Sequence, residues 1–516
     1  MITPNPTESY ARRALLWLEG NLNKIFGNDL NPFYHLGALG FYFFWVIVVS
    51  GAYLYAFYRT GMELSYRSVE YLTKEQWYFG GIMRSLHRYA ADALMVVMVL
   101  HLLREFILGR YRGARWFAWV TGVLLIWLVF AAGINGYWMV WDKLAQYSAV
   151  ATMEWFDWLP IFGAPMSSYF VTQEGFNDRF FSLLSFAHAT IPLFVLFFFW
   201  IHIMRISKPA VNPRRGLAFG MLLTLLALAL VKPVLSQGQA DLGIEPRNIN
   251  IDWFYLFIYP LLCRWSAGQV WALVIGISML LSVLPWLPNR HKQIPVAEVN
   301  LKECSGCRLC VADCPYEAVV MRPRSDGLQF MQEAVVVADR CVSCGICAGA
   351  CPSSSAFRSE AGYVSGIEMP SLPISGLRTA MVNDMAKLEG DVRIMVFGCD
   401  NAAKIEKLRS ESVAVLSLPC IAMLPPSFIE YALREHQVEG VLITGCRQND
   451  CYHRLGVLWT ERRLSAEREP RLRSRAERER IRQFWASSAD FKELVLELES
   501  FCSSLRSQTQ SENISK

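Results

Sequence analysis

The chain has 516 residues, of which 53% are hydrophobic, and a formal net charge of only +5. That length implies several domains, and a small charge with no basic face interleaved with aromatics gives no reason to expect a nucleic-acid partner. Charge crowds into the last 220 residues or so, which separates a membrane half from a soluble half. Of the 14 cysteines, 12 fall in three local groups after residue 303. Such grouping reads as metal sites rather than a disulfide framework, and reduced cysteines place the soluble half in the cytoplasm.

Residues 8–28 carry Leu15, Leu18, Leu22 and Ile25 at helical spacing, with Arg12, Arg13 and Lys24 among them. They predict an amphipathic helix, lying on the membrane surface or packed on a partner subunit. Six apolar segments come next, at about 36–58, 84–108, 117–138, 182–204, 215–235 and 268–288. Most approach or exceed the ~20 residues that a bilayer core demands. The connections beginning at Arg104 and Arg205 are short and basic, so they face the cytoplasm. Six crossings then leave both termini in the cytoplasm, with residues 236–264 outside.

The expected architecture is a polytopic α-helical membrane domain over 34–290, with a four-helix bundle at its centre, preceded by a cytoplasmic amphipathic segment at 1–33. After it come a ferredoxin-like α+β domain at 296–358, a linker at 359–389 and an α/β iron–sulfur domain at 390–500. The tail, 501–516, is expected to be disordered.

Within the bundle, His87 and His101 are 14 residues apart, and so are His188 and His202. Fourteen residues is just under four helical turns, so both members of a pair face nearly the same way, about 21 Å apart along the axis. Imidazole is the usual axial ligand of b-type haem, and a histidine inside a membrane helix is costly without a reason. Two such helices clamp two haems, one near each membrane face. Gly37 and Gly51 repeat the same interval in the first segment, and Gly122 and Gly136 in the third, supplying clearance for a porphyrin edge. Arg88 and Arg104 flank the ligands and suit haem propionates, or else snorkel to the interface.

The stretches SLHRYAADALMVVMVLHLLR, WVTG, GINGYWMVWDKLAQYSAVAT, FSLLSFAHATIPLFVLFFFWIH and IDWFYLFIYPLL resemble cytochrome b of the quinol-oxidising bc-type complexes, over about 30–288. The resemblance implies that His87 pairs with His188 on an outer haem b and His101 with His202 on an inner one. It also implies an outer quinone site near Trp141 and Trp253, where the family uses a Pro-Glu-Trp-Tyr motif. Here the matching residues are Ile251-Asp252-Trp253-Phe254, so Asp252 takes the place of the glutamate that accepts a quinol proton. The Pro and the Tyr are missing, and Asp252 equally suits an N-cap.

Residues 304–315 read C-x2-C-x2-C-x3-C-P, and 341–352 repeat the pattern 37 residues on. This is the bacterial two-cluster signature, in which the fourth cysteine crosses to the other cluster. One [4Fe–4S] cluster is expected on Cys304, Cys307, Cys310 and Cys351, the other on Cys341, Cys344, Cys347 and Cys314. Farther on, Cys399, Cys420 and Cys446 end apparent strands, and Cys451 comes five residues later. Strand ends of a parallel sheet share one edge, where α/β folds place ligands. Four thiolates there suit a [2Fe–2S] cluster, with zinc or a redox dithiol as competitors. The runs VFGC, ITGCRQNDCYHRLG and FWASS resemble the iron–sulfur delta subunit of methyl-viologen-reducing hydrogenase, although that family has a second Cys where this chain has Ala402.

Together the two resemblances imply electron exchange between the quinone pool and a cytoplasmic flavoprotein, of NAD(P)H-oxidoreductase or heterodisulfide-reductase kind, or hydrogenase subunits. The carriers are two haems b, two [4Fe–4S] clusters and one [2Fe–2S] cluster, in a multi-pass protein of the prokaryotic cytoplasmic membrane. A dimer of a larger complex is expected, with a Rieske-type or cytochrome c subunit as a further partner. The alternative is a relay and anchor whose quinone site is silent; a redox sensor is a third, poorer fit.

Overall fold

The computed structural model describes residues 6–161, 165–170, 177–246, 248–287, 295–358, 362–435, 438–473 and 478–514. They form two compact units, one of His35–Arg205 with Pro209–Pro288, the other of Met1–Tyr34, Ile206–Lys208 and Asn289–Lys516.

Among the described residues, four helices are long and apolar enough to cross a membrane: Pro32–Phe57, Trp116–Val140, Asp178–Ile203 and Ala267–Trp286. The other two expected spans are helices outside this set of four. The helix Ile82–Ile107 has the length, at 26 residues, but it carries Arg84, Arg88, Asp92, Arg104 and Glu105. The helix Arg215–Val231 is apolar and has 17 residues, at the short end of the roughly 17–25 that span a bilayer core. Leu36–Phe57 packs along Ile82–Ile107, and Trp116–Val140 along Asp178–Ile203. Each pair therefore joins a glycine-bearing helix to a histidine-bearing one. Beyond the bundle, Asp142 caps the helix Lys143–Asp157 through the Ala145 amide and accepts a second bond from the Gln237 amide, each at 2.9 Å. One carboxylate thus satisfies an otherwise orphaned helix amide and fixes the connection that leads to Asp252.

Among its described residues the second unit contains two small antiparallel ladders and one parallel sheet. Val319–Pro323 pairs with Gln332–Val336, and Glu298–Val299 with Ile367–Glu368. The sheet has four strands in the order Val413–Leu418, Ile394–Cys399, Gly440–Gly445 and Ile481–Trp485, every pairing parallel. The first three runs are β-branched and apolar, as strands covered on both faces must be.

Three expectations change in this unit. The charge pattern of the arginine-rich stretch about 461–482 predicts a helix; among the described residues an α-helix covers just its start, ending at Leu464, and Ile481–Trp485 becomes the fourth strand. Arg480 starts that strand by donating to the carbonyls of Val438 and of Glu439, the latter at 2.9 Å. The linker 359–389 contains a helix, Ile374–Met385, whose Leu377, Met381 and Met385 are buried in the core. The tail expected to be disordered from 501 continues the helix Phe491–Ile514. Its Leu494, Leu498, Phe501 and Leu505 recur at helical spacing and bury one stripe in the core. The amphipathic N-terminal segment is helical over Pro6–Leu30, with a kink at Gly27, and Leu15, Leu16 and Glu19 are buried within this unit.

Candidate redox centres

The four histidines form two tiers. His87 and His188 face each other across the bundle with ring centroids 6.2 Å apart, and His101 lies near His202. A glycine backs each ring. A Cβ added to Gly51 would stand 2.8 Å from Cε1 of His87, and one on Gly136 2.9 Å from Cε1 of His188. In the other tier the same distances are 3.2 Å for Gly122 to His202 and 3.7 Å for Gly37 to His101. The glycines therefore clear space for an imidazole, which is more specific than clearance for a porphyrin edge.

Two of the ring Nδ1 atoms, one in each tier, are also tied. Nδ1 of His87 lies 3.0 Å from the Ile47 carbonyl oxygen and 3.2 Å from Ser50 Oγ. Nδ1 of His202 lies 3.0 Å from Thr121 Oγ1, and the ring faces the Ala118 carbonyl. Ile47 and Ala118 each stand four residues before the backing glycine, and Ser50 and Thr121 one residue before it. An Nδ1–H that donates to a carbonyl leaves the Nε2 lone pair free to bind a metal. Paired imidazoles with that tautomer fit the axial sites of a haem.

The arginines expected at propionates already have carboxylate partners. Arg88 Nη2 is 2.7 Å from Asp252 Oδ2, and its Nε is 3.4 Å from Asp92. Arg88 also stacks over the Tyr137 ring at 4.4 Å, and the Tyr137 hydroxyl donates to Asp252. Arg104 pairs with Glu105, which accepts Arg115 at 2.9 Å as well. Asp252 caps a local turn by accepting from the Phe254 amide at 3.0 Å, so its capping role is realised in a turn rather than a helix. Trp141 is buried against Phe181, whereas Trp253 is 70% exposed. Tyr255 carries no sequence signal of its own. Its ring fills the space beside Gly133, and its hydroxyl donates to the Ala91 carbonyl at 2.8 Å.

In the second unit Cys310 stands among Cys304, Cys307 and Cys351, while Cys344 and Cys347 stand among Cys314 and Cys341. Both motif copies adopt one backbone. Gly306 and Ser343 precede the second cysteine with positive φ, and Arg308 and Gly345 come after it with positive φ. Successive turns of this kind point amides inward, as an anionic cluster needs. Cys399 ends its strand, Cys420 and Cys446 lie just past theirs, and Cys446 contacts both Cys399 and Cys451. Hydrogen bonds from Cys420 and Cys446 hold the Cys451 thiol well below its usual range. A Cβ on Gly456 would strike Cys420 Sγ and stand 3.2 Å from Cys451 Sγ, so the chain leaves room there for sulfur. Among the described residues no three His, Cys, Asp or Glu side chains converge on a single ion; a cluster spreads its cysteines over its corners instead.

The loop from Cys446 to Cys451 is held from outside by the N-terminal helix and by Tyr34 just beyond its end. Arg447 makes a two-pronged pair with Asp490 at 2.5 and 2.7 Å, reaches the Tyr34 hydroxyl at 3.1 Å and lies 4.0 Å from Glu19. Asn449 donates to Asp29 at 2.9 Å. Burial pushes the Asp490 carboxyl up, but the Arg447 guanidinium and Ser487 outweigh it and leave Asp490 below its usual range.

Imidazole tiers on membrane helices and thiol groups at strand ends define a membrane protein that moves electrons. Comparison with known families agrees segment by segment. Residues 22–210 match cytochrome b/b6/petB, residues 303–355 the 4Fe–4S dicluster domain, and residues 394–507 the delta subunit of methyl-viologen-reducing hydrogenase. A solved structure, the hyperthermophilic respiratory Complex III, is similar over 50% of this chain and 76% of its own, at 19% identity. Its TM-score is 0.42. The family matches make the chain a multi-pass membrane electron-transfer subunit with haem b and iron–sulfur centres.

Proposed function

We propose that this subunit exchanges electrons between the quinone pool and a cytoplasmic flavoprotein or hydrogenase-type partner. The two-tier arrangement of histidines and glycines is the observation that carries the reading. His87 and His188 hold the outer haem b, and His101 and His202 the inner one. Cys304, Cys307, Cys310 and Cys351 hold one [4Fe–4S] cluster, Cys341, Cys344, Cys347 and Cys314 the other, and Cys399, Cys420, Cys446 and Cys451 a [2Fe–2S] cluster. When bound, these groups supply one-electron carriers whose potentials span hundreds of millivolts. The iron–sulfur domains and both termini face the cytoplasm.

The chain's own chemistry at the outer quinone site falls to Asp252. Paired with Arg88 and hydrogen-bonded by Tyr137, its carboxylate is held in place to take a quinol hydroxyl proton. Anaerobic purification with partners retained, then an optical and paramagnetic-resonance redox titration, tests the scheme. Two haems and a binuclear signal are expected; fewer haems or no such signal overturns it.

A second reading, an anchor and relay with a silent quinone site, draws on the same contacts. Asp252 is only 10% exposed and already engaged by Arg88 and Tyr137. D252N separates the two. Loss of quinol-dependent haem reduction supports the proton acceptor, and intact reduction rules it out.

A further inference from the structure

We propose that the cubane site of Cys341, Cys344, Cys347 and Cys314 is the direct neighbour of the Cys399/Cys420/Cys446/Cys451 site. Asp313 and Arg463 are the positioning residues that hold the two together. The other cubane site is then the remote one. The inference rests on the cluster assignment proposed above and adds an order that the motifs do not contain, because both cubane motifs are alike.

Cys344 and Ile346 share one buried cluster of side chains with Cys420, Ala422, Leu455 and Trp459. The thiols of Cys344 and Cys420 lie within electrostatic reach of one another. The approach is close at the level of backbone. A Cβ on Gly349 would strike the Ala422 carbonyl oxygen, and one on Gly345 would strike Met423 Sδ. The turn through Cys344 and the turn after Cys420 therefore meet at glycines that leave no room for a side chain.

A buried ion pair locks that contact. Asp313, fully buried, precedes Cys314, and Arg463 is 1% exposed. Arg463 Nη2 donates to Asp313 Oδ2 at 2.5 Å, and Nη1 to the Ala422 carbonyl at 2.7 Å. One guanidinium thus ties the residue before one site's ligand to the residue two beyond the other's. Arg468 donates to Asp313 Oδ1, and the Trp459 indole N–H donates to the Asp313 carbonyl at 3.1 Å. Desolvating an ion pair is costly unless its hydrogen-bonding valences are met. Here both carboxylate oxygens have a guanidinium. Tyr316, two residues past Cys314, and His453, two past Cys451, add a contact at 3.3 Å.

The other cubane set has different surroundings. Cys307 is exposed, and Cys351 Sγ stands 3.2 Å from where a Cβ on Gly366 would lie.

The test uses the full-length protein, purified anaerobically, reduced and examined by electron paramagnetic resonance with iron analysis. Two neighbouring reduced clusters split or broaden each other's signals. In the unsubstituted protein the binuclear signal is expected to show that interaction. Cys341→Ala should abolish it while the binuclear signal persists, and Cys307→Ala should leave it in place. The reverse pattern, or three reduced clusters with no interaction, overturns the order. A missing binuclear signal in the unsubstituted protein overturns the cluster assignment beneath it instead. For the positioning role, Arg463→Met should weaken the interaction, and Arg463→Lys should restore part of it. Trp459→Phe, which removes one N–H and keeps the bulk, should have a small effect in the same direction. An interaction unchanged in Arg463→Lys and Arg463→Met, at unchanged iron content, overturns that role.

Discussion

In the membrane unit two histidines lie on one helix, 14 residues apart, and the backing glycines repeat the interval. In the iron–sulfur unit the four cysteines from Cys399 to Cys451 come from three strand ends and a loop. The first arrangement is set by helical pitch, which is local, so ligand and clearance share one period. The second is set by strand order, which is not. A binuclear site of this kind needs the whole sheet assembled before its thiols meet, whereas each imidazole tier needs only two helix pairs.

The largest expected effect tests the helical side. His188→Ala should remove one tier and lower b-haem content by about half, read as the pyridine haemochrome. Cys420→Ala should instead remove the binuclear signal and leave haem content unchanged. Haem lost in both variants would mean that the units do not assemble independently, and the contrast would fail.

Next come the glycines. Gly136→Val pushes a branched side chain into the His188 ring, 2.9 Å from even a bare Cβ, and should cost that tier its haem. Gly37→Ala would place its Cβ 3.7 Å from the His101 ring, an ordinary contact, and should be tolerated. Equal losses in the two variants would show that backing distance is not what the glycines provide.

The clamp on the Cys446 loop should show a smaller change. Arg447→Met removes the pair with Asp490 and the contact with Tyr34, and should lower the stability of the second unit by about 2 kcal/mol. The measurement is hydrogen exchange in the helix Pro6–Leu30; unaltered protection there would show that this helix is held by its apolar face alone.

Acid should act at the same place. The Asp490 carboxyl sits below its unfolded value, so its contribution is complete above the ordinary carboxylate pKa. It is lost as pH falls through the lowered folded value. Exchange protection of the N-terminal helix should therefore decline only on the acid side of the usual carboxylate range. Asp490→Asn should flatten that decline, and a decline of the same size in the variant would place the titrating group elsewhere.

The smallest effect belongs to the hydroxyls beside the imidazoles. Ser50→Ala and Thr121→Val each remove a contact to Nδ1 worth about 1 kcal/mol. Each should shift the potential of its own tier and not the other in an optical titration. A shift of both tiers together would point to a general loosening of the bundle.

Much of the membrane site was legible because its determinants are local. Spacing places His87 with His101 and Gly51 with Gly37 on common faces, whatever the rest of the chain does. The signal for Ser50 and Thr121 was also present, since each precedes a backing glycine. What it means depends on which helix lies alongside. Tyr137 and Arg88 meet Asp252 from residues 115 and 164 positions away, so neither partnership has a sequence period to reveal it. The same holds for Arg463 and Asp313, 150 residues apart.

By itself the sequence determined the chemistry: imidazoles at helical pitch, two cubane signatures, and cysteines at strand ends. Those depend on residue type and short spacing, which backbone geometry converts directly into shared faces and tight turns. Tertiary structure alone decided which glycine backs which ring and where the fourth strand comes from. It alone turned the supposed linker and tail into core helices, and it set the Cys344 turn against Cys420. Each of these rests on contacts between distant segments, where burial of apolar area and pairing of buried charge outweigh any local preference.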